Sequence, residues 1–308
     1  MMKAAYFHEH GGPDVIKYGD MPDPVAGPGE ILVDIVTSSV NGADWRVRDG
    51  TYAKGLKLPH ILGRDFSGTV SAIGPDVSDF KVGDEVFAVL PAGQEGTYAE
   101  KVAIKADVVA KKPAAMSHAD ATALALTGLT ALSAIEDTIK LKGGETILIQ
   151  GGAGGVASFA IQVAKHIGAR VISTTSAPNV DYVRDLGADQ VIDYNAEDFT
   201  KLGPVCDAVF ETVGGEVAMK SFAVLKPGGR AAFIASGPQA PTSPRDDVQS
   251  LRPPVGRARA PMERIAALFT SGVVKSPQVK LYRLSQAAEA HRVSEGRHFR
   301  GKLMFQVR

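Results

Sequence analysis

The sequence predicts an α/β protein of two domains, in which a β-rich N-terminal domain precedes a parallel, doubly wound sheet. The chain has 308 residues, which is enough for two hydrophobic cores. Its first part, to about Ile104, reads as short strands separated by glycine and proline, whereas strands and helices alternate after Ser117. The hydrophobic fraction of 44% and the charged fraction of 22% are those of a soluble globular protein.

The charge balance argues against nucleic acid and anionic membranes as partners, because Lys+Arg and Asp+Glu both number 34. The single cysteine, Cys206, excludes an internal disulfide framework and a multi-cysteine metal site, and it fits a reducing cytosol. The N-terminal residues lack the apolar core of a secretion signal, and no apolar run has membrane-spanning length. We therefore expect a cytoplasmic protein.

The N-terminal part is expected to form a small barrel-like domain, because its turns are close together and its strand pattern is local and antiparallel. The predicted strands are Lys3–Phe7, Glu30–Val40, Asp65–Ile73 and Asp84–Val89. A capping pattern, Ser117 with Asp120, then begins an Ala/Leu-rich helix pair around Thr127-Gly128.

The alternating part of the chain predicts the parallel sheet. Its predicted strands are Thr146–Gln150, Arg170–Thr174, Gln190–Asp193, Ala208–Glu211 and Arg230–Ala235. Its predicted helices are Val156–Ile167, Val180–Leu186 and Val217–Val224. A proline- and arginine-rich segment, Pro238–Pro261, is best interpreted as a solvated loop and edge strand, since a basic patch for nucleic acid would have interleaved aromatic residues. Helices at Met262–Phe269 and Leu284–Val293 and a strand at Lys302–Val307 complete the chain.

The glycine-rich turn after the first strand of this alternating part is the most informative motif. Ile147–Ile149 is a buried-strand pattern, and Gly152-Ala153-Gly154-Gly155-Val156-Ala157 satisfies G-x-G-x-x-G/A at the start of a helix. Gly152 permits the tight turn, Gly154 lets the backbone approach a pyrophosphate, and small Ala157 lets the helix pack closely on the strand. The helix N-terminus would then face the phosphates. This context predicts a dinucleotide site.

The end of the second strand of the sheet favours NADPH over NADH. An NAD site usually has an acidic residue there to bind the ribose 2′-hydroxyl. In this chain the loop after Thr174 has no acid before Asp181, and a carboxylate would repel a 2′-phosphate. Tyr194, after the third strand, is either a further phosphate contact or a half-buried aromatic at a strand end.

No catalytic metal is predicted, because zinc catalysis requires about three protein ligands, usually Cys or His. The histidines form no H-E-x-x-H motif or comparable cluster; they are His8, His10, His60, His118, His166, His291 and His298.

Together these motifs resemble the zinc-independent quinone oxidoreductase and alkenal (enone) reductase branch of the medium-chain dehydrogenase/reductase superfamily. The resemblance covers nearly the whole chain. The matching segments are Ser38–Asp44 (SSVNGAD), Gly63–Gly68 (GRDFSG), Lys81–Val86 (KVGDEV), Leu126–Leu132 (LTGLTAL), Gly151–Val156, Val209–Gly215 (VFETVGG), Leu225–Gly229 (LKPGG) and Arg300–Leu303 (RGKL). Zinc-dependent relatives have Cys near Asn41 and His-Glu at Arg64-Asp65.

The resemblance implies a GroES-like catalytic domain at 1–120, a Rossmann NADP-binding domain at 121–260, a return segment at 261–308, and a cleft between the domains. It implies nicotinamide contact at Thr127, pyrophosphate contact at the glycine turn, 2′-phosphate contact after the second strand, and closure of the cleft by Lys302. The implied cofactor-binding residues are Thr127, Gly152, Ala153, Gly154, Gly155, Val156, Thr175, Ser176, Asn179, Tyr194, Val213, Gly214, Ala235, Ser236 and Lys302.

On the substrate side the resemblance implies Asn41, Asp44, Tyr52 and Arg64. Hydride transfer to an enone puts negative charge on the carbonyl oxygen, and hydrogen-bond donors stabilise that charge. Asn41, Tyr52 and the ribose hydroxyl of the cofactor are the candidate donors, and Tyr52 or water is the candidate proton source. Tyr52 is equally well interpreted as an aromatic that shields the cleft, and Asn41–Asp44 as a turn that starts a helix. Arg64-Asp65 is better interpreted as a structural ion pair than as a catalytic pair.

The sequence therefore predicts an NADPH-dependent, metal-free reductase of quinones or α,β-unsaturated carbonyls that acts as a homodimer on small molecules. One alternative is an enoyl-thioester reductase, for which the Arg245–Arg264 segment is the candidate basic groove. The other is an NADPH-binding protein without turnover, as in lens-crystallin relatives, or one that binds nucleic acid.

Overall fold

The computed structural model describes residues 1–52 and 55–308, and the chain divides into two compact units. Unit 1 comprises Met1–Leu126, Arg257–Ser271 and Gln278–Arg308. Unit 2 comprises Thr127–Gly256 and Gly272–Pro277. The chain therefore leaves unit 1 first within a helix and returns to it at Arg257, after the parallel sheet is complete. It leaves unit 1 a second time for the short segment Gly272–Pro277.

The described residues form sixteen strands and seven α-helices. The strands are β1 (Met2–Phe7), β2 (Lys17–Met21), β3 (Glu30–Ser39), β4 (His60–Ile61), β5 (Asp65–Ile73), β6 (Glu85–Val89), β7 (Lys101–Lys105), β8 (Ala110–Lys111), β9 (Thr146–Ile149), β10 (Arg170–Thr175), β11 (Gln190–Asp193), β12 (Cys206–Glu211), β13 (Leu225–Phe233), β14 (Gln249–Leu251), β15 (Val279–Arg283) and β16 (Lys302–Gln306). The helices are α1 (Asp44–Arg48), α2 (His118–Leu132), α3 (Gly155–Ile167), α4 (Val180–Asp185), α5 (Glu216–Lys220), α6 (Arg259–Thr270) and α7 (Ala287–Gly296).

Unit 1 contains two sheets. The larger has the order β15-β16-β3-β5-β6-β8, with β7 also paired to β3, and the smaller has the order β2-β1-β4. Inward-facing β-branched and aromatic residues of β3, β5 and β6 form one core, which includes Ile31, Val33, Ile35, Phe66 and Val86. The strands alternate buried and less buried positions, as an antiparallel sheet with one solvated face does.

The return of the chain is fixed by β16, which pairs antiparallel with the end of β3 through Met304, Phe305 and Gln306. The strand β15, which pairs parallel with β16, was not predicted. Within Val279–Arg283 only Tyr282 is buried, so the sequence has no alternating apolar pattern that would indicate a strand. Parallel pairing to a buried neighbour decides its conformation.

Unit 2 is built on a six-stranded parallel sheet with the order β11-β10-β9-β12-β13-β14. The chain reverses direction of winding between β9 and β12, which is the doubly wound arrangement predicted from the alternation of strands and helices. The central strand β9 has three consecutive buried residues, Ile147, Leu148 and Ile149, because both faces of a parallel sheet are covered.

Of two predicted details of the helical part, one is present in the structure and the other is wrong. The capping pattern is present, since the Asp120 N–H donates to Ser117 Oγ at 3.0 Å and Ser117 Oγ donates to Asp120 Oδ2 at 2.6 Å. The predicted helix pair is wrong, because α2 runs through Thr127-Gly128 without interruption and continues as π-helical turns over Ser133–Ile139. Close packing around a buried helix tolerates a glycine that would weaken an exposed one.

Candidate active site and cofactor site

The turn between β9 and α3 has the shape of a phosphate cradle. Gly151 has φ of +70°, and a Cβ on Gly152 would lie 2.4 Å from Ser173 Oγ and 2.9 Å from a Val183 methyl group. Gly154 is the N-cap of α3 and provides no side-chain cap for the helix. The first N–H groups of α3 therefore have no side-chain cap, and such a helix N-terminus after a glycine turn suits a pyrophosphate.

The loop after β10 offers hydroxyl and amide groups to a ribose phosphate. Asn179 Nδ2 donates to Ser176 Oγ at 3.0 Å, and the Tyr194 N–H donates to Thr175 O at 3.1 Å. The first acid after this strand, Asp181, is 92% exposed and pairs with Arg184 at 2.7 Å. A second acid, Asp193 at the end of β11, is in register with Thr175, and its Oδ1 accepts the Asn195 N–H at 3.1 Å. Tyr194 is half exposed, at 50%.

The loops after β12 and β13 complete this edge of the sheet. Glu211 Oε1 accepts the N–H groups of Val213 and Gly214, each at 2.7 Å, and burial raises the pKa of its carboxyl. Gly214 has φ of +85°, and a Cβ there would lie 2.8 Å from Ala235 O. Glu211 shapes the loop, and sequence reasoning missed it although an acid directly precedes the Thr-Val-Gly-Gly turn.

The other predicted cofactor residues divide between the units. Thr127 lies in unit 2 on α2 and is 3% exposed, and Ser236 Oγ donates to Gln239 O at 3.1 Å. Lys302 belongs to unit 1 and is 5% exposed. Its ammonium donates to Val40 O at 3.1 Å and to Asn41 Oδ1 at 2.5 Å. Both of these hydrogen bonds lie within unit 1, and the closure of a cofactor cleft by Lys302 stays a prediction.

A pocket of about 220 Å³ in unit 1 contains part of the predicted substrate side. It is lined by Val47, Tyr52, Leu56, His60, Arg64, Leu90, Pro91, Ala92, Gly93, Gln94, Glu95 and Arg257. Of the four predicted catalytic residues, Tyr52 and Arg64 line it, whereas Asn41 and Asp44 do not. The Tyr52 hydroxyl accepts a hydrogen bond from Arg46 at 2.6 Å, which leaves its own proton for another acceptor.

Arg64 forms its ion pair with Glu95, and the predicted pair with Asp65 is wrong. Arg64 Nε and Nη2 donate to Glu95 Oε1 at 2.9 and 2.7 Å, and His60 Nε2 lies 3.0 Å from Glu95 Oε2. Arg64 directly precedes β5, whose first residue is Asp65, and neighbouring side chains of an extended chain point to opposite sides. The Asp65 carboxylate instead accepts hydrogen bonds from Ser39 Oγ and Asn41 Nδ2. Sequence reasoning missed both His60 and Glu95, because 31 residues separate Arg64 from Glu95.

Behind Arg64 lies a buried polar chain. Asp44 is 0% exposed; its Oδ1 lies 3.4 Å from Arg64 Nε, and its Oδ2 accepts the Tyr98 hydroxyl at 2.8 Å. Tyr98 lies 3.2 Å from His291 Nε2, and Arg48 Nη1 lies 3.0 Å from His291 Nδ1. Because arginine can only donate, Nδ1 accepts from Arg48, and Nε2–H is left to donate to Tyr98.

The two titratable ends of this chain are shifted in opposite senses. Burial raises the pKa of Asp44 to about 7, with Arg64 opposing and Glu95 adding to the rise. Burial, and then the neighbouring Arg48, lowers the pKa of His291 to about 3. His291 is therefore neutral at physiological pH, and Asp44 changes its charge near neutrality.

A second polar cluster surrounds Asn41. Its Nδ2 donates to Asp65 Oδ1 at 3.1 Å, and Ser39 O accepts from it at 3.4 Å. Lys302 Nζ lies at the amide oxygen of Asn41 and 3.8 Å from Asp65 Oδ2. The ammonium and the carboxylate fix which way the amide points, and both amide hydrogens are directed into the protein.

These residues do not fit the zinc that related dehydrogenases hold. Asn41, Arg64 and Asp65 stand where the resemblance places metal-site residues, and neither an amide nor a guanidinium is a usual zinc ligand. The buried Lys302 ammonium at Asn41 already puts a positive charge there. Within residues 1–52 and 55–308, no three His, Cys, Asp or Glu side chains come together as a metal-binding group.

The sequence of this chain matches two known protein families and several known reductases. The alcohol dehydrogenase GroES-like domain family matches residues 27–114, and the zinc-binding dehydrogenase family matches residues 186–304. Quinone oxidoreductase from Pseudomonas aeruginosa is 32% identical over 313 residues, covering 94% of this chain and 95% of that protein. The 2-methylene-furan-3-one reductase of Solanum lycopersicum is 37% identical over 74% of this chain, which spans 61% of the length of that relative.

Among solved structures, Escherichia coli quinone oxidoreductase in complex with NADPH superposes with a TM-score of 0.90 at 29% identity, covering 99% of this chain and all of the other. The chain belongs to the quinone oxidoreductase branch of the medium-chain dehydrogenase/reductase superfamily. The predicted fold class, a GroES-like domain with a parallel-sheet Rossmann domain, is confirmed. In the part of the chain that the structure describes, no helix has the length and apolarity to cross a bilayer.

Proposed function

We propose that the protein is an NADPH-dependent reductase of quinones and α,β-unsaturated carbonyl compounds. The observation that carries the proposal is the glycine cradle at α3, followed by a β10 loop of hydroxyl and amide groups without a carboxylate. The NADPH bound by the Escherichia coli structure and the enone named in the tomato relative support the same cofactor and acceptor class.

The residues of unit 2 that would hold the cofactor lie at the carboxyl edge of the sheet. Gly152 to Val156 would bind the pyrophosphate through backbone N–H groups, and Ser176, Asn179 and Tyr194 would receive the 2′-phosphate. The loops at Val213-Gly214 and Ala235-Ser236 would line the ribose and nicotinamide, with Thr127 near the amide. Bound NADPH supplies a hydride to the acceptor.

In unit 1 the pocket around Tyr52 and Arg64 would hold the acceptor. An enone that gains hydride at its β-carbon develops negative charge on the carbonyl oxygen, and a donor already directed at that oxygen stabilises the charge. The Tyr52 hydroxyl is held by Arg46 through its oxygen, so its proton remains available for that bond. The Arg46 guanidinium, 5.3 Å from the centre of the Tyr52 ring, makes the phenol a better donor.

Asn41 was expected to donate a hydrogen bond to the carbonyl oxygen of the substrate, and we propose a different role for it. Its amide hydrogens are directed to Asp65 and Ser39, so we propose that it positions the strand end and its neighbours instead of donating to the substrate. Asp44 likewise acts through Arg64, because its carboxyl is fully buried.

The test is NADPH oxidation with a simple quinone and an alkenal as separate acceptors, repeated with NADH. We expect turnover with NADPH and a Tyr52→Phe variant with kcat lowered about a hundredfold for the alkenal, which is the lower end of the usual contribution of one well-placed donor. Tyr18→Phe, at a tyrosine 48% exposed on β2, is the matched control and should keep full activity. NADPH binding without reduction of either acceptor would contradict the proposal.

We also propose that the protein acts in a reducing cytoplasm as a homodimer. If two copies pair through the edge strand β14, the paired stretch must be short. The strand has only three residues, and Pro253-Pro254, which lack N–H donors, follow it. Light scattering on the purified protein tests the assembly: a mass of one chain, about 32.3 kDa, would contradict it.

A further inference from the structure

The pocket in unit 1 has an unequal charge inventory. Among its described lining residues, two are arginines, Arg64 and Arg257, and one is a carboxylate, Glu95. The remaining lining is apolar or uncharged apart from His60. Asp44, 3.4 Å from Arg64, is fully buried and is not part of the lining. The lining itself therefore presents two guanidinium groups and one acid to a ligand, and such an excess of positive charge points to an anionic ligand.

The carboxylate in the lining is already used by its neighbours. Nε and Nη2 of Arg64 both donate to Oε1 of Glu95, and His60 Nε2 lies 3.0 Å from Oε2, so both carboxylate oxygens have protein partners. Glu95 is also 7% exposed, whereas Arg64 is 23% exposed. The acid therefore orients Arg64 from the inner side, and the guanidinium retains a solvent-facing portion.

Arg257 brings the second positive charge from a distant part of the sequence. Its Nε donates to Leu90 O at 3.2 Å, which anchors the side chain on the pocket wall. Burial, and then repulsion by Arg64, lowers the pKa of the Arg257 guanidinium to about 10, while Asp65 opposes the shift. The Asp65 carboxylate also has other partners. Its Oδ2 lies 3.8 Å from Lys302 Nζ, and its Oδ1 accepts a hydrogen bond from Ser39 Oγ at 2.6 Å.

Two like charges that repel each other in one pocket are stabilised when an anion lies between them. Guanidinium groups match the planar geometry of a carboxylate and bind it with paired hydrogen bonds. The pocket volume of about 220 Å³ suits a small acceptor better than a carrier-linked one.

We propose that this pocket is an oxyanion subsite and that the preferred acceptors are small α,β-unsaturated carbonyl compounds that carry a carboxylate. The proposal rests on the proposed reductase function and names the substrate class of the same pocket. Arg257 binds the carboxylate together with Arg64, and Glu95 holds Arg64 in place. The hydride goes to the β-carbon, and the α-carbon then takes a proton from Tyr52 or water.

The first experiment compares two acceptors with NADPH, 4-oxo-2-pentenoate and its methyl ester, in which a methyl group removes the negative charge. The ester is intrinsically the more electrophilic alkene, so a preference for the acid must come from the protein. We expect kcat/KM at least tenfold higher for the acid, mainly through KM. Arg257→Gln should lower kcat/KM for the acid and so bring the ratio of acid to ester close to one. Arg257→Lys should keep part of the preference for the acid. Arg259→Gln is the matched control, since Arg259 lies two residues away and bonds to Asp79 at 2.8 Å; it should keep the ratio.

The second experiment measures binding without turnover. Trp45 is the single tryptophan, and the Arg46 guanidinium lies 5.1 Å from its ring and 5.3 Å from that of Tyr52, which lines the pocket. Titration of the cofactor-free protein with 4-oxopentanoate, a saturated and unreactive acid, should change the Trp45 fluorescence. The dissociation constant should rise at least tenfold in Arg257→Gln, and methyl 4-oxopentanoate should bind more weakly than the acid.

The outcomes separate the two proposals. Equal kcat/KM for acid and ester in the wild-type protein overturns the oxyanion subsite and leaves the reductase function standing. Reduction of no enone or quinone overturns the function, while saturable binding of 4-oxopentanoate that depends on Arg257 would still support the subsite. Equal losses for acid and ester in Arg257→Gln, or tighter competition by inorganic phosphate than by 4-oxopentanoate, overturn the carboxylate assignment.

Discussion

The glycine turn of unit 2 and the pocket of unit 1 are built in different ways. The turn at Gly151–Gly155 is five consecutive residues that act through their backbone. The pocket gathers Tyr52, His60, Arg64, Glu95 and Arg257 from separate segments and acts through their side chains. A backbone site requires that a few positions have no side chain. A side-chain site requires every partner that orients its charged groups.

This difference predicts how each region responds to substitution. One added side chain should disable the turn, because the backbone must approach the phosphate closely. In the pocket a single substitution should change selectivity or pH dependence, because several residues share each charge. The predictions below test this contrast, beginning with the largest effect.

Gly154→Val is expected to raise the dissociation constant for NADPH at least a hundredfold. A Cβ at Gly154 would lie 3.3 Å from Gly151 O, and a branched side chain would cover the N-terminus of α3. Gly12→Ala is the control, because a Cβ there meets no atom within 4 Å. Calorimetric titration measures both, and a change below threefold in Gly154→Val would show that the phosphates bind elsewhere.

Ser176→Asp is expected to weaken NADPH binding about thirtyfold and to leave NADH binding nearly unchanged. The new carboxylate would stand at the end of β10 beside Asn179, where it repels a 2′-phosphate and can bind a 2′-hydroxyl. Ser176→Asn, which adds similar bulk without charge, is the control. Equal losses for both cofactors would mean that the loop is disturbed and that the charge is not responsible.

Asp44 and His291 are expected to give stability opposite pH dependences. Between pH 4 and 7 the folded protein keeps a proton on Asp44 that the unfolded chain has lost, so this group makes the free energy of unfolding fall as pH rises. Between pH 3 and 6.5 the unfolded chain carries a proton that folded His291 lacks, so this group makes the free energy of unfolding rise with pH.

Urea unfolding at pH 5 and 6 separates the two contributions. Asp44→Asn should make the slope of unfolding free energy against pH more positive, and His291→Asn should make it more negative, each by up to about 1.4 kcal/mol per pH unit. Asp181→Asn, at a 92% exposed side chain, is the control. Parallel pH profiles for all four proteins would contradict the assigned protonation states.

The smallest expected effect concerns Cys206. Its thiol is fully buried in β12, and burial, with Asp207 adding, raises its pKa to about 12, so little nucleophilic thiolate forms. An excess of alkenal without NADPH should therefore leave Cys206 unmodified in the folded protein, and urea should make it reactive. Intact-mass spectrometry reads the adduct; rapid alkylation of the folded protein would refute this.

The sequence by itself determined the fold class, and it predicted the cofactor half of the site. Local patterns were sufficient there, because the strand at Ile147–Ile149, the glycines and the helix start are neighbours in the chain, as is the acid-free end of β10. Long-range contacts decided what local patterns could not: the uninterrupted α2, the strand β15 and the inward-facing Lys302.

Only the tertiary structure decided the substrate half. The pairing of Arg64 with Glu95 in place of Asp65, the position of Arg257 and the commitment of Asn41 to Asp65 and Lys302 join residues that are between 24 and 261 positions apart. Side-chain charges have no preferred sequence spacing, because any carboxylate that the fold brings near an arginine stabilises it. The carboxylate that pairs with a given arginine is decided by packing, and packing depends on the whole chain.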